Sequence, residues 1–254
     1  MPPARIRHKL PFCCRIPYGS QPLLTAGLPL NLHEGYLEEQ QTDEAGRTLY
    51  SFMAAVDKTM LLPLFDDLVE VIASPAYAIL ELPPEEGEDE GETAPATDEG
   101  HASIYLSVEF DKQELLTSLE PYRLQLMLDG YIGFGVANYL QRGEPARMRE
   151  VFLDDHKLIR IHDEKPEPWR TLFAKWGLPR CKELATVDMG PHIHQALDQF
   201  PPEELPESLR KLSWHSLIYE EYIGNLLEAL QFERQTAAGA DASHAGHPAT
   251  ETVH

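Results

Sequence analysis

Hydrophobic positions along the chain change period in a regular order. Residues 48–56, TLYSFMAAV, alternate, with Tyr50, Phe52, Ala54 and Val56 on one face of a predicted strand. The spacing then lengthens. Met60, Leu61, Leu64, Phe65, Leu68, Val71 and Ile72 recur every three or four residues, which predicts a helix with one apolar stripe. Ser74-Pro75 ends it, and AYAILEL (76–82) predicts a second strand. The same order returns in SIYLSVEF (103–110), a helix using Leu115, Leu116, Leu119, Tyr122, Leu126 and Met127, a stop at Asp129-Gly130, and a strand IGFGVANYL (132–140).

The two units align without a gap at an offset of 54, with five identities over residues 57–82 that include Asp57-Lys58 on Asp111-Lys112 and Tyr77 on Tyr131. An Asp at each strand exit suits a helix N-cap, where its carboxylate satisfies free backbone N–H groups and complements the helix dipole. This order predicts an α+β protein with a ferredoxin-like, split β-α-β-β-α-β sheet over residues 36–147. Strands 48–56 and 103–110 would be parallel neighbours at its centre. Two helices would cover one face. The other face, with Ser51, Met53, Tyr77, Ile79, Tyr105 and Ser107, is too apolar to be left wholly in water.

Residues 148–236 are expected to supply that cover as an α/β extension. MREVFLDDHKLIRIHD (148–163) reads as a hairpin turning at Asp154-Asp155-His156-Lys157. Asp163 would then introduce a helix through Trp169, Leu172, Phe173 and Trp176, and KELATVDM (182–189) would be a strand, a degenerate third copy of the unit. The last helix, 213–234, carries a stripe of Trp214, Leu217, Ile218, Leu226, Leu227 and Leu230, a candidate surface for a protein partner or a second copy of the chain. Residues 1–35 read as an extended basic arm, 83–100 as an acidic disordered loop and 237–254 as a disordered tail.

Charge sharpens this outline. The formal charge is -21, and 14 acidic residues fall between Lys58 and Lys112, a stretch without a single Lys or Arg. Such a field argues against nucleic acid, which needs cations to displace phosphate counterions, and favours a basic partner. No apolar run reaches the roughly 20 residues of a membrane span, so no membrane role is expected. Cys13, Cys14 and Cys181 make an odd count with one adjacent pair, which fits a reducing cytoplasm better than a disulfide framework.

No phosphate-binding glycine loop, Cys-x-x-Cys, His-Glu-x-x-His or Gly-x-Ser-x-Gly element is present. Gly133 and Gly135 suggest a bulge or close packing against a neighbour. The best polar cluster with metal-ligand character is Asp154, Asp155 and His156, followed by His162 and Asp163. His192 and His194 could join it. If they lie in a strand they share a face, because side chains alternate with period two. These residues suit a divalent metal, although no cofactor is required by any motif. The leading expectation is a non-catalytic binding or regulatory protein. The alternatives are a metal-dependent hydrolase using the Asp/His cluster, and a small-ligand-binding protein.

Overall fold

The computed structural model describes residues 17, 19–22, 31–42, 46–83, 102–141, 147–212 and 217–235. The strands are β1 (Ser20–Pro22), β2 (Gly35–Thr42), β3 (Thr48–Ala55), β4 (Tyr77–Leu82), β5 (Ser103–Leu106), β6 (Gly133–Gln141), β7 (Arg147–Leu153), β8 (Ile159–Asp163), β9 (His192–His194) and β10 (Glu233–Arg234). The helices are α1 (Lys58–Val69), α2 (Lys112–Leu119), α3 (Arg123–Leu128), α4 (Glu167–Lys175), α5 (Glu207–Arg210) and α6 (Tyr219–Ala229). Among the described residues no helix is long and apolar enough to cross a membrane.

The fold is mixed α+β. Eight strands form one sheet in the order β10-β5-β4-β6-β7-β8-β3-β2, and every neighbouring pair is antiparallel. The expected β-α-β units exist, since β3-α1-β4 and β5-α2-α3-β6 each join parallel strands through helices. Their assembly is not ferredoxin-like. Strands β3 and β5 are not neighbours, because β4, β6, β7 and β8 lie between them. The cause is the 147–163 hairpin. Its Val151, Leu153, Ile159 and Ile161 are fully buried on the helical face, so β7 and β8 enter the middle of the sheet instead of covering it. The division at residue 147 therefore falls inside one continuous sheet.

One face of that sheet carries the main core. Phe52, Ala78, Leu80, Phe134, Val136, Val151 and Ile161 meet Leu64 and Phe65 of α1, Leu115 of α2, Leu126 of α3, Trp169 and Phe173 of α4, and Leu226 of α6. The helix starts are set locally. Asp57 accepts a hydrogen bond from the Thr59 N–H at 2.8 Å, and Asp111 does the same for Gln113 at 2.9 Å, with nearly identical backbone angles. The proposed duplication is thus matched by equivalent caps. Asp163 differs. It is wholly buried, accepts the Trp169 indole N–H at 2.9 Å and pairs with Arg149, while Pro166 takes the N-cap position of α4 instead.

The opposite face is closed in part by its own residues. Phe152 packs with Ile79 and Ala137, and Leu184 and Cys181 pack on Ala55, Leu158 and Met53. An added Cβ at Gly133 or Gly135 would lie 2.6 or 2.7 Å from the Phe152 ring, so these glycines do admit a close neighbour. Residues 182–189 do not form a strand. They turn and end in a 3-10 segment, Val187–Met189, leaving Tyr36–Arg180 as an isolated bridge.

The C-terminal helix is shorter than its periodicity predicts. Within it Tyr222, Ile223 and Leu226 are buried, and with Leu230 they join the main core. Leu217 packs with Leu197, Phe200, Leu205 and Leu209, while Ile218 and Leu227 are half-buried. This stripe meets the helical side of the sheet, beside α3, and not the opposite face. Trp214, the acidic segment from residue 84 to 101, and the tail from 236 onward lie outside the described residues. Of the N-terminal arm, Ser20–Pro22 is extended as expected but is paired, forming a two-stranded sheet with β9.

Candidate metal centre

The turn between β7 and β8 is built by its own polar side chains. Asp154 Oδ1 accepts the Leu158 N–H at 2.8 Å, Asp155 Oδ1 accepts the His156 N–H at 3.0 Å, and Lys157 adopts a left-handed φ of 62°. Aspartate favours such turns because its carboxylate can bond nearby backbone. The turn projects His156 toward β9. There the extended backbone sets His192 and His194 on a common face, as the period-two reading predicts.

The three imidazoles converge. Nε2 of His156 and Nε2 of His192 are 3.1 Å apart, as are Nε2 of His192 and Nε2 of His194. Ring centroids lie 4.8–5.0 Å from one another, at interplanar angles of 62–76°. Each Nδ1 faces an acceptor. His192 Nδ1 donates to the Gly190 carbonyl at 2.7 Å, His194 Nδ1 to the Gly130 carbonyl at 2.5 Å, and His156 Nδ1 to the Asp155 carboxylate at 2.8 Å. A carbonyl or carboxylate can only accept, so the ring proton sits on Nδ1 in each neutral imidazole. The three Nε2 atoms are then lone pairs pointing at a shared centre. Lone pairs 3.1 Å apart repel unless a cation lies between them.

The spacing fits such a cation. Metal–nitrogen bonds of about 2.0–2.1 Å in a tetrahedral zinc site put ligand nitrogens roughly 3.3 Å apart. Outer partners on each Nδ1 are what orient histidine ligands and raise their basicity. Burial opposes protonation of His156, but the hydrogen bond and charge of Asp155 outweigh it and raise the imidazole's pKa. Among the described residues no fourth His, Cys, Asp or Glu completes the His156-His192-His194 group. The side chains of His156 and His194 each keep 21% exposure, so water reaches the centre.

The scaffold behind the histidines is close-packed. Gly130 lies against Gly19, and a Cβ there would overlap the Gly19 carbonyl oxygen. The two segments are joined through Gln195, whose N–H donates to Gly19 and whose carbonyl accepts from Gly130. Asp129, wholly buried, fixes the same loop by accepting the Tyr222 hydroxyl at 2.9 Å and the Tyr131 N–H at 3.0 Å. Gly130→Ala is therefore expected to cost about 1–3 kcal/mol, the usual range for overpacking, and to weaken metal binding by displacing the His194 acceptor. Thermal denaturation with and without zinc measures both.

The remaining candidates part company. Asp155 supports the ligands. Asp154 is turned to the Arg160 guanidinium at 2.7 Å. His162 lies on β8, where its Nδ1 meets the buried Glu150 carboxylate at 2.6 Å across the β7-β8 pair. Cys181 packs with Leu184 and its neighbours, and among the described residues it belongs to neither group of potential metal ligands.

Glu81 is the group the sequence reading missed. It faces Gly133 across β4-β6. Because Phe134 pairs with Leu153, the same row runs on to Asp154 at the end of β7. With no side chain at Gly133, the Glu81 carboxylate lies over the β6 backbone, 2.9 Å from where a Gly133 Cβ would be. Burial, then the charges of Asp155 and Asp154, push its carboxyl up to about 7. An acid whose folded pKa is raised binds protons in the native state that the unfolded chain releases. Metal-free protein should therefore lose stability as pH rises from 4.5 through about 7. Glu81→Gln should gain stability relative to wild type over that window, read as the difference between their melting temperatures at successive pH values.

A cleft beside His156, lined by Leu32, Val56, Leu158 and Val187, has room for about one water molecule, not for an organic ligand. Comparison with protein-family models, curated proteins and solved structures gave no match to this chain.

Proposed function

We propose that the protein is a metal-dependent hydrolase whose divalent ion, zinc by the chemistry of its donors, is held by His156, His192 and His194. The observation that carries this reading is the set of three Nε2 lone pairs facing one another while every Nδ1 proton is engaged elsewhere. Three protein ligands with a position left to solvent is the pattern of catalytic zinc, whereas structural zinc is closed by four. The ion would lower the pKa of a bound water and so supply a nucleophile near neutral pH.

The surroundings favour an uncharged acyl substrate over a phosphate. Arg160 is committed to Asp154, and Lys157 donates to the Ile132 carbonyl at 2.9 Å inside the protein. Asp155, whose carboxyl lies below its ordinary value, adds negative charge. Tyr131, 38% exposed, sets its ring 6.0 Å from that of His194 and offers an apolar wall. The test is hydrolysis of p-nitrophenyl acetate and p-nitrophenyl phosphate by zinc-loaded protein. Zinc-dependent turnover of the acetate, lost on chelation and in His192→Ala, supports the assignment. Turnover of the phosphate alone contradicts the substrate class. Stoichiometric zinc without turnover of either ester counts against hydrolysis.

A further inference from the structure

We infer that Ser51, His162 and Glu150 form a second site, independent of metal, in which Ser51 is the nucleophile toward uncharged esters with an apolar acyl chain. The inference goes beyond the metal-hydrolase reading and does not depend on it. Its basis is strand register. Ser51 of β3 and Glu150 of β7 are both direct cross-strand partners of His162 on β8. Residues directly opposite on antiparallel strands share a face, with Cβ atoms about 4.5–5.5 Å apart. Their chain neighbours Phe52, Val151 and Ile161 are buried in the main core. Ser51, His162 and Glu150 therefore stand in one row on the face opposite the helices.

His162 Nδ1 donates to Glu150 Oε1 at 2.6 Å, and the side chain of Glu150 is only 6% exposed. A carboxylate can only accept, so the neutral ring carries its proton on Nδ1 and presents a lone pair at Nε2. Among the described residues neither Nε2 of His162 nor the Ser51 hydroxyl has a hydrogen-bond partner. The His162 side chain keeps 29% exposure, so a substrate can reach it. A hydroxyl beside an imidazole that a buried acid holds in one tautomer is the arrangement that activates serine. Contacts between nucleophile and base commonly close only when substrate binds. Leu49, exposed, and Met53 lie two residues to either side of Ser51 and so on its face, an apolar bed for an acyl chain. Glu39, opposite Ser51 on β2, disfavours an anionic substrate.

The reaction balances with water as the only co-reactant. The Ser51 O–H bond breaks and its proton moves to His162 Nε2, while Oγ forms a bond to the acyl carbon. The carbon–oxygen bond to the leaving alcohol then breaks, and the proton on Nε2 passes to that alcohol. Water next attacks the acyl carbon and gives its proton to Nε2. The bond from the acyl carbon to Ser51 breaks, the proton returns to Oγ, and the acid is released. Glu150 keeps its hydrogen bond to Nδ1 throughout and is a positioning residue.

The test is covalent labelling of the full chain by a fluorophosphonate carrying an octyl chain, with the modified residue located by mass spectrometry. Wild type should take up one label per chain, on Ser51, whether or not zinc is bound. Ser51→Ala, which leaves the sheet intact, should take up none. His162→Gln should react about 100-fold or more slowly, the usual scale of general base catalysis. Its melting temperature, read alongside, shows that the variant is folded. Glu150→Gln should lower the maximal labelling rate and leave the half-saturating concentration unchanged, because it disturbs the base and not the binding of the probe. A merely structural Glu150 would not separate the two constants. No label on wild type, a label elsewhere than Ser51, or equal rates in wild type and folded His162→Gln would overturn the inference. The metal reading is untouched by any of these results, since none of the three residues belongs to the three-histidine group.

Discussion

Calorimetric titration of metal-free protein with zinc will show one site, and His192→Ala will abolish it. The ring of His192 contacts both other ligands through Nε2, so its loss leaves His156 and His194 without the atom that completes a face of three. Asp155→Ala should behave differently. It removes no ligand, only the acceptor that fixes the His156 tautomer, and outer partners of this kind are worth about 10–100-fold in metal affinity. Wild type at a zinc concentration 100 times Kd should gain about 2.7 kcal/mol of stability. In His192→Ala the melting temperature should not respond to zinc. The centre joins the main sheet, through His156, to the small β1-β9 sheet, so this gain should appear as slower hydrogen exchange around residues 190–195. Equal zinc affinity in wild type and His192→Ala would contradict the ligand assignment.

Truncation after Leu212 will prevent folding, and it will not merely remove an interface. The deleted segment takes Tyr222, Ile223, Leu226 and Leu230 out of the main core, each 5% exposed or less. At about 1.5–3 kcal/mol for each large side chain, the loss is roughly 6–12 kcal/mol. That is comparable to the whole stability of a typical domain, about 5–15 kcal/mol. The truncation also strips the Tyr222 hydroxyl from buried Asp129, leaving a carboxylate short of a donor beneath the Gly130 loop. Circular dichroism should show no cooperative transition. A truncated chain that keeps its melting temperature and loses only self-association would return the Leu217–Leu230 stripe to the role of a docking surface.

Features set by neighbours in sequence were legible from the residues alone. Asp57 and Asp111 cap their helices because the N–H groups they satisfy are two residues away. The shared face of His192 and His194 follows from strand periodicity. The turn at Asp154–Lys157 follows from its aspartates. The order of the sheet was not legible, because it depends on which strands find one another over long separations. Strand 132–140 did carry a hint. Its glycines and apolar residues leave neither face polar, which suits an interior strand with neighbours on both sides, here β4 and β7.

The same distinction separates the site residues. His156 and His162 look equivalent in sequence, yet one projects from a turn toward β9 and the other lies along β8 opposite Glu150. Strand pairing, not residue type, decides which of them can ligate. Glu81 reads in sequence as an ordinary polar position in a strand. Its meaning depends on a glycine 52 positions later, and only the β4-β6 register reveals that pairing.

X-ray absorption at the zinc edge tests the central claim most directly. The account predicts a first shell of three imidazole nitrogens at about 2.0–2.1 Å and one oxygen from water, with the nitrogen count falling in His194→Ala. A shell containing sulfur, a fourth protein ligand that closes the centre, or a spectrum unchanged by His194→Ala would contradict it.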